Sequence, residues 1–215
     1  MSSDEIHHYY SARAPEYDLV YSKPERQADL RVIEHWLPSL FAGQSIIEVA
    51  CGTGYWTQFL APVASEVVAI DASPETLVIA KERVPANSVQ FAVGDAYDLP
   101  IRAQKFSGAF AGFWLSHVPR QSIATFLQGL HATLNPGARV VFLDNRFVVG
   151  SSTPISEPDQ SGNTYQLRRL QDGSTHSILK NFPSESELRA MVENSSSQVN
   201  FHCWQYYWAL EYVLS

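Results

Sequence analysis

Glu48-Val49-Ala50-Cys51-Gly52-Thr53-Gly54 is the stretch whose reading decides the fold. The β-branched run 45–50 leads into it as a strand, and residues 54–63 behind it read as a helix. Strand, glycine loop and helix form a unit in which the backbone turns tightly and a ligand approaches it closely. Alone, such a loop is a weak signal. A dinucleotide fingerprint G-x-G-x-x-G beginning at Gly52 requires glycine at position 57, and Thr57 stands there. The spacing instead fits an acidic-x-G-x-G-x-G form, with Ala50 in place of the first glycine.

Reading outward, short apolar runs alternate with amphipathic stretches. Residues 66–71 form a second strand, 89–93 a third, 106–113 a fourth and 138–143 a fifth. Between the second and third, Ser73 offers a helix N-cap, Pro74 suits the first helical position and Glu75 the first turn. Ile123, Phe126, Leu127, Leu130 and Leu134 recur at helical spacing, and Asn135-Pro136-Gly137 reads as the turn that follows. Strands alternating with helices predict an α/β fold: a doubly wound, mostly parallel sheet, apolar on both strand faces. Ligands of such sheets bind at the carboxyl ends of the strands.

Four segments divide the chain on this reading: 1–44, helical, with Leu30, Ile33, Trp36 and Leu37 on one face; the α/β core 45–147; an insertion 148–182; and 183–215. Asp172-Gly173 between two alternating runs signals a β-hairpin within the insertion. Residues 184–192 read as a short helix capped by Ser184 or Ser186, and the aromatic-rich stretch 199–214 as one strand at the edge of the sheet.

Composition narrows the function. The 215 residues are 45% hydrophobic and 17% charged, which opposes disorder. A net charge of −7 opposes binding to a phosphate backbone, so no nucleic-acid partner is expected. Two cysteines, Cys51 and Cys203, build no disulfide framework. No signal peptide is visible and no apolar run approaches the ~18 residues of a membrane helix, so the expectation is a cytoplasmic protein with no membrane partner.

Taken together, the loop at 48–54, Asp71, Gly94-Asp95-Ala96-Tyr97-Asp98-Leu99-Pro100, Phe113-Trp114-Leu115-Ser116-His117-Val118 and Leu134-Asn135-Pro136-Gly137-Ala138 resemble the motifs of class I S-adenosylmethionine (SAM)-dependent methyltransferases. The resemblance covers residues 9–145 and, more loosely, the final strand. It implies SAM as cofactor and transfer of a methyl group to a small molecule. By resemblance Asp71 accepts from the ribose hydroxyls, Asp95 and the Ala96 backbone meet the adenine, and Phe113 and Trp114 line the methionine end. Glu48, Ala50, Gly52, Gly54 and Ala72 complete the cofactor contacts within the core. His8-Tyr9-Tyr10-Ser11-Ala12-Arg13-Ala14-Pro15-Glu16-Tyr17 resembles the family's N-terminal lid helix, which makes Tyr10, Arg13 and Tyr17 cofactor candidates. Ala50 and Ala138 depart from the family's glycines.

His117 is the candidate general base, because histidine titrates near neutral pH. The alternative is a histidine bonded to backbone beneath the pocket. Tyr9 is a second catalytic candidate. Arg146, Tyr165 and Arg168, with Arg169 and Lys180, are candidates to contact an anionic acceptor; as ordinary strand residues they would face solvent. No metal-ligand spacing is visible. The expected partner is a small-molecule substrate, and the chain is a monomer or homodimer. The rival readings are a nucleic-acid or protein methyltransferase, a non-methylating SAM-binding protein on the same fold, and a nicotinamide oxidoreductase. Thr57 and Asp95-Ala96 oppose the last.

Overall fold

A computed structural model of the protein describes residues 14–85, 87–99, 105–170 and 172–215. Five parallel strands, β1 (Ser45–Val49), β2 (Glu66–Asp71), β3 (Val89–Val93), β4 (Phe106–Gly112) and β5 (Leu134–Asn145), make most of one sheet. A hairpin of β6 (Tyr165–Arg169) and β7 (Thr175–Leu179) stands apart. The last strands, β8 (Ser196–Cys203) and β9 (Tyr207–Leu214), complete a seven-stranded sheet of order β3-β2-β1-β4-β5-β9-β8. The order reverses between β1 and β4, so a crevice opens at the carboxyl ends of those two strands.

Successive residues of the central strands point to opposite faces. Ile47, Val49, Val68 and Ile70 pack on one face, beneath helices α4 (Ile123–His131) and α5 (Glu185–Val192). Ile46, Val67 and Ala69 pack on the other, beneath α1 (Gln27–Ser39) and α2 (Thr57–Leu60), with Leu77 of α3 (Pro74–Arg83). Leu30, Ile33 and Leu37 of α1 are fully buried there, at the helical spacing read from the sequence. Ser73 caps α3 by accepting from the Thr76 amide. Ser184 caps α5 in a reciprocal box with Glu187.

Three boundaries differ from the sequence reading. The helix expected over 54–63 is a single α-helical turn, Thr57–Leu60, set among turns. The fifth strand begins at Leu134 rather than after Gly137. Leu134 pairs with Phe106 and Arg139 with Gly108, so the Asn-Pro-Gly segment bulges out of a ladder that continues on both sides. Gly137, at φ +79°, takes the left-handed conformation that this bulge requires. The stretch read as one edge strand is two strands of an antiparallel hairpin. β9 lies inside the sheet between β5 and β8, and β8 is the outer strand at that end.

Candidate active site

The loop after β1 and the end of β2 are tied together. The Gly52 amide donates to Asp71 Oδ2 over 2.8 Å, and the Cys51 amide donates to Ile70 O. Asp71 Oδ1 also accepts from the Ser73 amide and the Thr76 hydroxyl. Gly52 and Gly54 have φ of +56° and +75°, and a Cβ on Gly54 would sit 3.1 Å from Ala80 Cβ. Ala50 shares this left-handed backbone at φ +55°, where a side chain costs about 1 kcal/mol or more. The departure from glycine therefore strains the loop as well as narrowing it.

Glu48 lies beneath this loop, fully buried, and accepts from the Thr57 hydroxyl over 2.7 Å. Burial pushes its carboxyl up to about 8, with the charge of Asp71 adding to the rise and the Thr57 bond opposing it. It does not line the cavity above. Cys51 is likewise buried, and burial pushes its thiol well above the ordinary range, so it is no thiolate nucleophile at neutral pH.

That cavity has a volume of about 340 Å³. Asp71, Ala72 and Ile70 form one wall, Asp95, Ala96 and Tyr97 another, and Ala50, Gly112, Phe113 and Trp114 close it towards β4. The Trp114 indole N–H is buried and has no hydrogen-bond partner among the described residues. Tyr17, from a 3₁₀ stretch (Ala14–Tyr21), lies over the loop, its ring 3.2 Å from where a Gly52 Cβ would stand. Thr53 Oγ1 donates to Asp18 over 2.6 Å, and Arg83 pairs with Asp18 and donates to Thr53 O, so this stretch is anchored on the glycine loop. Tyr9, Tyr10 and Arg13 lie outside the described residues.

A second cavity, of about 360 Å³, opens on the other side of Tyr17, Phe113 and His117, which line both. Phe113 has φ +58°, an uncommon conformation for a bulky residue, and it is held there by stacking on Tyr21 and Tyr207 and by its amide bond to Leu143 O. His117 is buried, with Nδ1 2.7 Å from Leu179 O. A carbonyl only accepts, so Nδ1 carries a proton, and in the neutral ring Nε2 is the acceptor nitrogen. This geometry combines the two readings of His117: it is bonded to backbone and also lines the site.

The insertion is fastened beside His117. Lys180 donates to Asp144 Oδ1 over 2.8 Å and to Ser116 Oγ, all three being buried. The Asn181 amide donates to Ser116 O, and Arg120 donates to Gly162 O. Arg168, Arg169 and Lys180 line the second cavity. Arg146 and Tyr165 do not. Arg146 donates to Trp204 O at the turn of the last hairpin, and the partly exposed Tyr165 donates to Asp159. Lys23, Arg26 and Asn145 also line this cavity and escaped the sequence reading. Asn145 had a signal, since it ends a central strand at its carboxyl end. Lys23 and Arg26 had none: Pro24-Glu25-Arg26 resembles an ordinary helix start.

Residues 46–137 match the model of a methyltransferase domain family. That match falls on the strands and loops that build the first cavity. The chain carries a class I SAM-dependent methyltransferase domain. An uncharacterized methyltransferase of Synechocystis sp. is 31% identical over 137 residues, covering 60% of this chain and 64% of that protein. A demethylmenaquinone methyltransferase of Oceanobacillus iheyensis is 27% identical over 149 residues, covering 66% and 62%. The chain thus aligns with less than two thirds of the length of these curated relatives. Solved structures of DhpI extend the likeness over nearly the whole chain. Its complex with SAH superposes with a TM-score of 0.80 at 26% identity, covering 99% of this chain and 96% of that one. Its complex with SAM and HEP gives 0.78 at 28%, covering 98% and 99%. Among the described residues no helix is long and apolar enough to cross a membrane, and no cluster of three or more His, Cys, Asp or Glu could hold a metal.

Proposed function

We propose that this protein transfers a methyl group from SAM to a small-molecule acceptor. The observation that carries the reading is the pair of cavities, about 340 and 360 Å³, that meet at Tyr17, Phe113 and His117. Each is at the small end of the range for ligand pockets. One stands on the methyltransferase motifs and the other beside them, and a bimolecular transfer needs two such sites facing one another.

The first cavity suits SAM by its chemistry. Asp71 and Asp95 place carboxylates at its rim, where hydroxyl and amino groups of an adenosine would donate. Ile70, Ala96 and Phe113 supply apolar walls. SAM supplies an electrophilic methyl group when bound. Tyr17 covers the glycine loop and keeps water from that face. Phe113, fixed by its stacking partners, holds the partition between the two ligands. Much of the rate of such a reaction comes from holding donor and acceptor in line at close range. His117 lines both cavities, and its ring, held by the Nδ1 bond, would take a proton from an acceptor that carries one.

The test is methyl transfer from labelled SAM into a fractionated metabolite extract. Label in a low-mass product supports the reading. Label only in macromolecules, or none with SAM demonstrably bound, overturns it.

A further inference from the structure

The second cavity is lined by five cationic side chains, Lys23, Arg26, Arg168, Arg169 and Lys180, and, among the described residues, by no carboxylate. This occurs in a chain whose net charge is −7. Among the described residues two carboxylates touch the set from outside. Asp144 pairs with Lys180 from behind, and the exposed Glu25 accepts from Ser151 Oγ.

Among the described residues, the bonds of Lys23, Arg26 and Arg168 go to neutral oxygens. Arg26, 4% exposed, donates to Asn145 Oδ1 over 2.7 Å and to Ser151 Oγ. Lys23 donates to Ser151 O, and Arg168 donates through Nε and Nη2 to Gln166 Oε1. A buried charge is ordinarily matched by an opposite one. Here Arg26 is buried against neutral partners and the rings of Tyr206 and Tyr207. Burial is the main cause that lowers the Lys23 ammonium below its ordinary range; the neighbouring Arg26 charge adds to the fall and the Glu25 charge opposes it.

We infer that this cavity binds an acceptor carrying a small oxyanion, a carboxylate or a phosphoryl group, held by Lys23, Arg26 and Arg168. The inference rests on the methyltransferase reading, which places an acceptor in this cavity. It draws cations from the segment before α1 and from the β6–β7 hairpin, so an anion would fasten both to the core. Lys180 takes a different part: its charge is matched by Asp144, and it anchors the hairpin's end beside His117. The planar forks of Arg26 and Arg168 suit the paired oxygens of a carboxylate or phosphoryl group.

The experiment uses the full chain saturated with SAH, so that the first cavity is filled. Inorganic phosphate, propionate and the neutral isostere propionamide are titrated at constant ionic strength, with binding read by calorimetry and by Tm. The expected result is binding of phosphate or propionate, whichever group the site takes, and none of propionamide. Lys23→Gln, and separately Arg168→Gln with Arg169→Gln, should each weaken that binding about tenfold or more while SAH affinity stays. Both variants alter partly exposed side chains, and far-UV circular dichroism confirms that they fold. Equal binding of all three probes, no binding of either anion, or unchanged affinity in both variants overturns the inference while leaving the methyltransferase reading intact. So does tight, salt-sensitive binding of a single-stranded oligonucleotide in place of the small anions. Failure of SAH itself to bind overturns the reading on which the inference rests.

Discussion

Replacing Glu48 by glutamine removes a titration that the fold makes costly. The carboxyl is fully buried and its affinity for a proton is raised from an ordinary 4.5 to about 8, burial being the main cause. In the unfolded chain it ionises near 4.5. Between these values the unfolded state has released a proton that the native state keeps, so stability falls as pH rises. The stability associated with the protonated side chain is fully present below pH 4.5 and is lost as pH climbs towards 8. One pK unit corresponds to about 1.4 kcal/mol, so the gap makes the protein about 3 to 4 kcal/mol less stable at pH 8 than at pH 5 through this group alone. The glutamine amide keeps an oxygen to accept from Thr57 and carries no such slope. Urea unfolding of both proteins at pH 5, 6.5 and 8 isolates the effect, because every other titrating group is common to the pair. The difference in unfolding free energy should move steadily in favour of Glu48→Gln, by about 3 to 4 kcal/mol across that range. A difference constant to within about 0.5 kcal/mol would refute the protonated, desolvated carboxyl.

The remaining predictions concern the site. Ala50→Gly relieves the left-handed backbone at φ +55°, offset in part by the greater freedom of glycine when unfolded, and should raise stability by about 0.5–1 kcal/mol in denaturant titration. Asp144→Ala leaves the buried Lys180 ammonium without its carboxylate and should cost about 3–5 kcal/mol by the same assay, with Lys180→Met in the same chain recovering part of the loss. His117→Gln distinguishes base from packing. If His117 accepts a proton, kcat falls about 100-fold and loses its dependence on pH near neutrality while Tm changes little; if it only packs, Tm falls and kcat stays.

Much of the core was legible because its signals are local. β2 and β3 fall on the residues read from their apolar runs, since a short buried strand bounded by turns has little room to slide. The cap at Ser73 stands where the sequence put it, and of the two serines offered for the later helix Ser184 is the cap. What escaped depends on distant partners. Asn135-Pro136-Gly137 carries a turn signature, but β4 pairs with the chain on both sides of it and turns it into a bulge. The aromatic run at the C-terminus looks continuous, and only its pairing with β5 shows that it folds back at 204–206. Arg26 joins Ser151 across 125 positions, so no window of sequence announces that it lines the same cavity as the hairpin's arginines. Arg146 and Tyr165 show the converse: their positions near or within the insertion suggested the cavity, and their side chains bond elsewhere.

Occupancy of the cavity over the glycine loop by SAM is tested most directly by calorimetric titration with SAH. The wild-type protein should bind one SAH per chain and bind no NAD. Asp71→Ala should weaken SAH by about 1.5–3 kcal/mol, the worth of hydrogen bonds to a charged acceptor, and remain folded. No heat with SAH, or an Asp71→Ala variant that folds and binds as tightly as wild type, would contradict it.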